Sequence, residues 1–133
     1  MTVFVDTSAW FAAMVPWDAE YAAAQRWLST NTVPFTTTDY VVDETLTLLK
    51  ARGELTRALA FGEAVFAGRM GAVCHVEEAD VLAAWQIFRD FSDKGWSFTD
   101  CVSRVVMLRL RIERAFCFDQ HFRQFGTVEV VPS

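Results

Sequence analysis

The sequence is poor in the residues that most binding chemistries need. It has two histidines, His75 and His121, and three cysteines, Cys74, Cys101 and Cys117, none in C-x-x-C spacing. Zinc sites take several nitrogen or sulfur ligands, so none is expected. An odd number of thiols without framework spacing reads as reduced cysteines in a cytoplasmic protein, not as disulfides. Lysine is limited to Lys50 and Lys94, and 12 basic residues face 17 acidic ones, a net charge of −5. Non-specific nucleic-acid affinity comes from cations meeting phosphates, so bulk charge argues against a general nucleic-acid binder. Proline and glycine are sparse (3 and 6), and no linker, repeat or low-complexity tract interrupts residues 1–133, which read as one domain. No stretch approaches the roughly 20 apolar residues that a bilayer demands, so no membrane span is expected. Asp6 cuts the short N-terminal apolar run and no basic leader precedes it, so a signal peptide is not expected either.

What the chain does have is apolar mass. Its hydrophobic fraction is 53%, with 12 Phe, 5 Trp and 2 Tyr, enough for one substantial core and incompatible with intrinsic disorder. Short β-prone runs alternate with helical patterns along it. Strands are expected at Thr2–Val5, Pro34–Thr38, Ala72–Val76, Ala115–Phe118 and Val128–Val131. Between them, helices are expected from Thr7–Ser8 to Met14, from Ala19 to Leu28 after an Asp18 cap, and from Asp39 to near Gly53. Further helices are expected over Leu55–Phe66, Glu77–Phe91 and Phe98–Ile112. This alternation predicts an α/β fold with a parallel sheet covered by helices on both faces, its ligand crevice at the carboxyl ends of the strands.

Four carboxylates stand out by position. Asp6 and Asp119 each follow a short apolar run, so in a parallel sheet both emerge at one edge. Glu44 lies on a helical stripe with Val41 and Leu48, whereas Asp43 falls on a polar stripe with Asp39, Thr47 and Lys50. Asp100 opens the helix beginning near Phe98. Each also has a structural reading: Asp6 as a helix cap, Asp119 as a turn opener, and Ser97-x-x-Asp100 as a capping box. Together they suggest a shared acidic pocket. Several carboxylates cannot all stay ionised in a dry cleft without a cation. Oxygen donors select hard ions, hence Mg²⁺ or Mn²⁺, which neutralise phosphoryl oxygens and acidify bound water. The chemistry implied is metal-assisted phosphodiester hydrolysis.

The segments Val3-Phe4-Val5-Asp6-Thr7-Ser8-Ala9, Val42-Asp43-Glu44-Thr45-Leu46, Phe98-Thr99-Asp100 and Ala115-Phe116-Cys117-Phe118-Asp119 resemble, in order and spacing, the PIN-domain nucleases. Within these, the stand-alone VapC-type toxins of toxin–antitoxin pairs are the most similar group. The resemblance implies a three-layer α/β/α sandwich around a mostly parallel sheet of about five strands, endoribonuclease activity, homodimers and inhibition by a small cognate antitoxin. It also implies that Asp6, Glu44, Asp100 and Asp119 are the catalytic and metal-binding acids, with Ser8 and Thr99 at hydroxyl positions that orient ligands or solvent.

Arg104, Arg111 and Arg114 recur on one helical face with Asp100. They are candidates either for the RNA backbone, Arg104 and Arg111 in particular, or for the dipole at a helix C-terminus. With so few lysines, the expected target is a small structured RNA met chiefly by the metal. The aromatics Trp10, Phe11, Trp17 and Trp27 serve either as core or as a groove for an antitoxin or a second protomer. Three other functions fit less of the pattern: an RNA-processing PIN nuclease without a toxin role, a receiver-like Mg²⁺ module lacking its lysine, and a non-catalytic binding module whose acids only cap helices.

Overall fold

One sheet of five short strands organises the computed structural model, which describes residues 1–133. The strands are β1 (Val3–Val5), β2 (Phe35–Thr38), β3 (Ala72–Cys74), β4 (Arg114–Phe116) and β5 (Glu129–Val131), in the order β3-β2-β1-β4-β5. Every neighbouring pair is parallel. The helices between them are α1 (Thr7–Met14), α2 (Tyr21–Thr30), α3 (Asp39–Ala51), α4 (Leu55–Phe66), α5 (Glu78–Asp90) and α6 (Phe98–Leu110), with a 3-10 helix at Gln120–Phe125. The expected α/β sandwich with a five-stranded sheet is what forms. A crossover from β3 back to β4 reverses the strand order beside β1, so a crevice opens between the carboxyl ends of β1 and β4.

Central β1 is apolar at all three positions, and Val3, Phe4 and Val5 are fully buried, as a strand covered on both faces requires. Register places Val5 beside Phe116 and Phe4 beside Ala115. On one face, Trp27 stacks on Phe116 with ring centroids 4.4 Å apart, and Trp10 meets Phe35 and Phe61. On the other, Phe122 of the 3-10 helix stacks on Phe4. Trp10 and Trp27 are therefore core or core-anchored. Trp17 is 68% exposed, with the Arg57 guanidinium over its ring, and Phe11 is half-buried under Arg52.

Several boundaries differ from the sequence expectation for physical reasons. The cap of α1 is Asp6, whose carboxylate accepts from Ser8 N–H, not the Thr7–Ser8 pair. Asp18 accepts from Glu20 N–H and so closes the turn before α2, which starts at Tyr21 rather than Ala19. Strand β4 ends at Phe116 and not Phe118: the Phe118 N–H donates to the Ser8 hydroxyl, which draws the chain off the ladder before Asp119. Strand β3 ends at Cys74 rather than Val76, because the Val76 N–H donates to the Asp39 carboxylate instead. Gly71 precedes β3 at φ 107°, and a Cβ there would collide with the Phe35 carbonyl oxygen, so this close approach of β2 and β3 requires glycine.

Helix α5 buries Asp80 and Ala84 and leaves Leu82, Trp85 and Phe88 on its exposed side. The buried Asp80 carboxylate is held by Arg109 of α6, whose Nε and Nη2 each donate at 2.8 Å; Nη2 also lies 3.5 Å from Cys74 Sγ. One guanidinium thus joins α5, α6 and β3. Arg109→Ala leaves the Asp80 carboxylate buried without its partner, and we expect a lower urea midpoint than wild type. A midpoint no lower than that of Arg89→Ala, which breaks an exposed ion pair with Asp90, would refute this role.

Candidate functional site

The crevice predicted by the strand order is lined by Asp6, Thr7, Ser8, Glu44, Leu48, Ser97, Asp100, Asp119 and His121, around a cavity of about 380 Å³. All four sequence-predicted acids are brought together, although they come from the end of β1, the middle of α3, the first turn of α6 and the connection after β4. No lysine or arginine lines it.

Each aspartate is anchored through one oxygen. Asp6 Oδ2 accepts from the Ser8 N–H (3.2 Å) and the Ser8 hydroxyl (2.8 Å), while Asp6 N–H donates to Phe116 C=O and ties the residue to β4. Asp100 Oδ2 accepts from Ser97 N–H (2.9 Å), and Asp100 N–H donates to the Ser97 hydroxyl (3.0 Å), the reciprocal bonds of a capping box. Asp119 Oδ1 accepts from His121 N–H (2.9 Å) and caps the 3-10 helix. In all three the second carboxylate oxygen accepts nothing from the protein. The structural and the functional reading of these acids therefore hold together: one oxygen caps, the other stays available.

His121 completes the centre. Its Nδ1 lies 3.0 Å from Asp100 Oδ2 and 3.2 Å from Asp119 Oδ1. Both partners are acceptors, so Nδ1 carries the proton in this arrangement. The opposite side of the ring abuts the Gly95 backbone, where a Cβ would sit 3.2 Å from Nε2. Sequence reading assigned His121 no role. Its only signal was its place two residues after Asp119, on the turn that Asp119 opens. Thr7 and Ser97 were also missed as lining residues. Thr7 adds a hydroxyl to the crevice wall, where it opposes the rise in the Glu44 pKa, and Ser97 was visible only as a cap.

Other candidates are placed elsewhere. Ser8 lines the crevice and bridges Asp6 to the Phe118 N–H. Thr99 is half-buried and does not line the crevice. Arg104 lies half-buried with its guanidinium over the Phe125 ring, 5.6 Å from the centroid. Arg111 is the left-handed cap that ends α6 and lines a cavity with Met1, Thr2 and Glu113 at the amino-terminal edge of the sheet. Eleven residues of helix separate it from Asp100 by about 16 Å, so it does not share the acidic crevice. Arg114 faces Glu129 at 3.7 Å at that same edge.

The electrostatics are those of a cluster of like charges. Burial, opposed by the Ser8 hydroxyl and reinforced by Asp100 and Glu44, pushes Asp6 from its ordinary 3.8 up to about 7. Burial also raises Glu44, with added repulsion from Asp100 and Asp119, and it raises Asp100, with Asp119 adding to the effect. Cys117, wedged beside Asp6 and Asp119, is driven upward by burial and stays a neutral thiol. An uncommitted oxygen on each aspartate and a Glu44 carboxylate, with no lysine or arginine among them, form a donor set that fits a hard divalent cation. The ligand atoms of Asp100, Asp119 and His121 already lie within 4.8 Å of one another.

The PIN domain family model matches residues 3–128 of the chain. The 23S rRNA-specific endonuclease VapC20 of Mycobacterium tuberculosis (strain ATCC 25618 / H37Rv) is 35% identical to it over 133 residues, covering 98% of each chain. The crystal structure of M. tuberculosis VapC20, described as a sarcin–ricin loop cleaving toxin, is similar with a TM-score of 0.89 at 32% identity, over 96% of this chain and 98% of that one. FitAcB from Neisseria gonorrhoeae shares the fold at 15% identity, with a TM-score of 0.68 over 98% of this chain and 96% of that one.

These raised pKa values give the metal-free protein a defined pH dependence. From the ordinary aspartate range near 3.8 up to about 7, folded Asp6 holds a proton that the unfolded chain has lost. Stability is therefore complete below that window and falls as pH rises through it, and Glu44 and Asp100 act in the same direction. We expect Tm in EDTA to fall between pH 5 and pH 8, Asp6→Asn to flatten the decline, and Mn²⁺ at about a hundred times its Kd to restore about 2.7 kcal/mol at pH 8. A Tm that rises across this interval in EDTA would contradict the cluster's electrostatics.

Proposed function

The chain belongs to the PIN-domain family, and from that membership and the geometry of its crevice we propose that it is a divalent-metal-dependent endoribonuclease acting as the toxin of a type II toxin–antitoxin pair. The observation that carries this reading is the convergence of four carboxylates in one cavity without a lysine or arginine. Its similarity along nearly its whole length to a 23S rRNA-specific endonuclease supports a structured ribosomal RNA loop as the target.

Asp6, Glu44, Asp100 and Asp119 would hold the cation, Mg²⁺ or Mn²⁺, through carboxylate oxygens. Once bound, such an ion supplies neutralisation of phosphoryl charge and a more acidic attacking water. The protein's own groups do the positioning. Ser8 fixes the Asp6 carboxylate against the β4 connection, and Ser97 fixes Asp100 on the first turn of α6. His121 holds Asp100 and Asp119 at one separation and, as an Nδ1–H donor, offsets part of their negative charge. Glu44 lines the crevice from α3, where burial and the neighbouring Asp100 and Asp119 raise its carboxyl above the ordinary glutamate value.

The partners follow from the same reading. An antitoxin that presents arginine could neutralise the crevice by pairing with its carboxylates in place of the metal. The exposed stripes Leu55, Leu59 and Phe66 on α4 and Leu82, Trp85 and Phe88 on α5 support a homodimer. No helix is long and apolar enough to cross a membrane, and a ribosomal RNA target would be met in the cytoplasm.

The test is cleavage of 23S rRNA in Mn²⁺ or Mg²⁺ by wild type, Asp6→Asn and Asp100→Asn. We expect each variant to lose about a thousandfold in rate, EDTA to abolish cleavage, and both variants to melt no lower than wild type at pH 8. Equal cleavage by wild type and both variants would reject the reading.

A further inference from the structure

An acidic chain that takes RNA needs local cations, and the ion-pair pattern shows where they are free. Arg57, Arg89, Lys94, Arg109 and Arg114 are engaged with carboxylates. Seven basic residues form no ion pair: Lys50, Arg69 and Arg111 are exposed elsewhere, Arg104 is half-buried over Phe125, and Arg26, Arg52 and Arg123 are exposed on one path leading out of the catalytic crevice. That path is a chain of cavities with shared walls. The acidic crevice adjoins a second cavity of about 240 Å³ through Ser8, Leu48 and Asp119; Asp18 and Glu20 also line it, and its one cation, Arg52, lies over the Phe11 ring, 5.9 Å from its centroid. This second cavity adjoins a third, of about 570 Å³, through Glu20 and Phe118. Arg26, Trp27 and Arg123 line the third cavity with Phe118.

The aromatic walls are rigid. Trp27 is stacked on Phe116 of β4, and Phe118 meets the same ring edge-on at 5.9 Å. Both are half-buried, so each keeps an exposed surface while its position is fixed by the core. Alternating unpaired guanidinium groups and anchored aromatic surfaces is what single-stranded RNA requires, since cations meet phosphates and aromatic surfaces stack bases. Glu20 is the one acidic side chain lining the third cavity. As an acceptor it suits the amino edge of a base and not a phosphate.

We propose that this path is a substrate track, in which an unpaired RNA strand leaves the crevice across Phe118, stacks a base in the cavity walled by Trp27, and is held through its phosphates by Arg52, Arg26 and Arg123. The proposal rests on the ribonuclease reading above and adds to it the side on which the strand lies and the residues that grip it. It also accounts for the position of Asp119 at the junction of the crevice with the track.

The test compares wild type, the Arg26→Gln/Arg123→Gln double variant and, as a control for bulk charge, Arg69→Gln, which removes another exposed, unpaired arginine outside the track. Two substrates are used in Mn²⁺: a sarcin–ricin-loop RNA hairpin across a range of salt, and bis(p-nitrophenyl) phosphate, which is too small to reach the track. The double variant should lose about tenfold in kcat/KM on the hairpin and flatten its log–log salt dependence by about 1.5, the loss of two phosphate contacts. Its activity on the small diester should equal that of wild type, and Arg69→Gln should match wild type on both substrates. A wild type that cleaves both substrates while the double variant keeps its hairpin rate and salt slope overturns the track and leaves the ribonuclease reading standing. A wild type inactive on both overturns the two together. Unchanged hairpin cleavage with lost binding of a protein inhibitor would assign the surface to that partner and reject the RNA track.

Discussion

The repulsion among four carboxylates in one crevice is the constraint around which the rest of the molecule is arranged. Bringing Asp6, Glu44, Asp100 and Asp119 together costs stability, visible in the upward shifts of three of them. The fold tolerates this because each aspartate is tethered at short range before it enters the crevice. The tethers are helix caps, the least costly device available, since a helix N-terminus already presents unsatisfied N–H groups to an anion. Asp6, Asp100 and Asp119 occupy cap or first-turn positions on three different elements. The parallel sheet points the Asp6 and Asp119 caps at one place, because they follow the carboxyl ends of β1 and β4, which lie side by side. Asp100 is brought there by α6, which follows α5 and packs against α3 and the 3-10 helix. Glu44 is the exception. It sits mid-helix, where α3 packs beside α1 and α6 and carries its carboxylate into the crevice.

That dual use explains why so much of the site was legible from sequence. Asp6 after an apolar tripeptide and Ser97-x-x-Asp100 before a helix are local signals, written by capping chemistry that acts over a few residues. The strands and helices were legible for the same reason, since short β-prone runs such as Val3–Val5 and periodic runs such as Leu55–Phe66 announce themselves without tertiary information. Read singly, each acid has a sufficient structural explanation. Only their joint placement at one sheet edge distinguishes a centre from a set of caps, and that required the topology.

What escaped the sequence depended on distance or on competing hydrogen bonds. Helical periodicity places Arg111 on the stripe of Asp100 but says nothing of the axial rise that carries it to the opposite edge of the sheet. It likewise groups Leu82, Trp85 and Phe88 on one side of α5 without saying that the side faces outward, because the buried side is set by the Asp80–Arg109 pair and Ala84. The end of β4 was misjudged because the Ser8 hydroxyl, more than a hundred residues away in the chain, takes the Phe118 N–H from the ladder. His121 was invisible since nothing local marks an imidazole that turns back over the residue that caps its own helix.

Net charge was the least informative quantity of all. A balance of −5 argues against nucleic-acid binding only if charge is evenly mixed, and here it is not. Much of the basic charge is committed to carboxylates that stabilise the fold, as Arg109 is to Asp80 and Arg57 to Glu54. The acidic excess is concentrated where a dication would neutralise it, and the uncommitted guanidinium groups of Arg26, Arg52 and Arg123 stand beside that point. A polyanion is then drawn by the local field and not by the total, because beyond a Debye length of about 8–10 Å the remaining surface charge is screened. An acidic surface on which free cations are few also disfavours non-specific association with long nucleic acids, which a uniformly basic nuclease would invite.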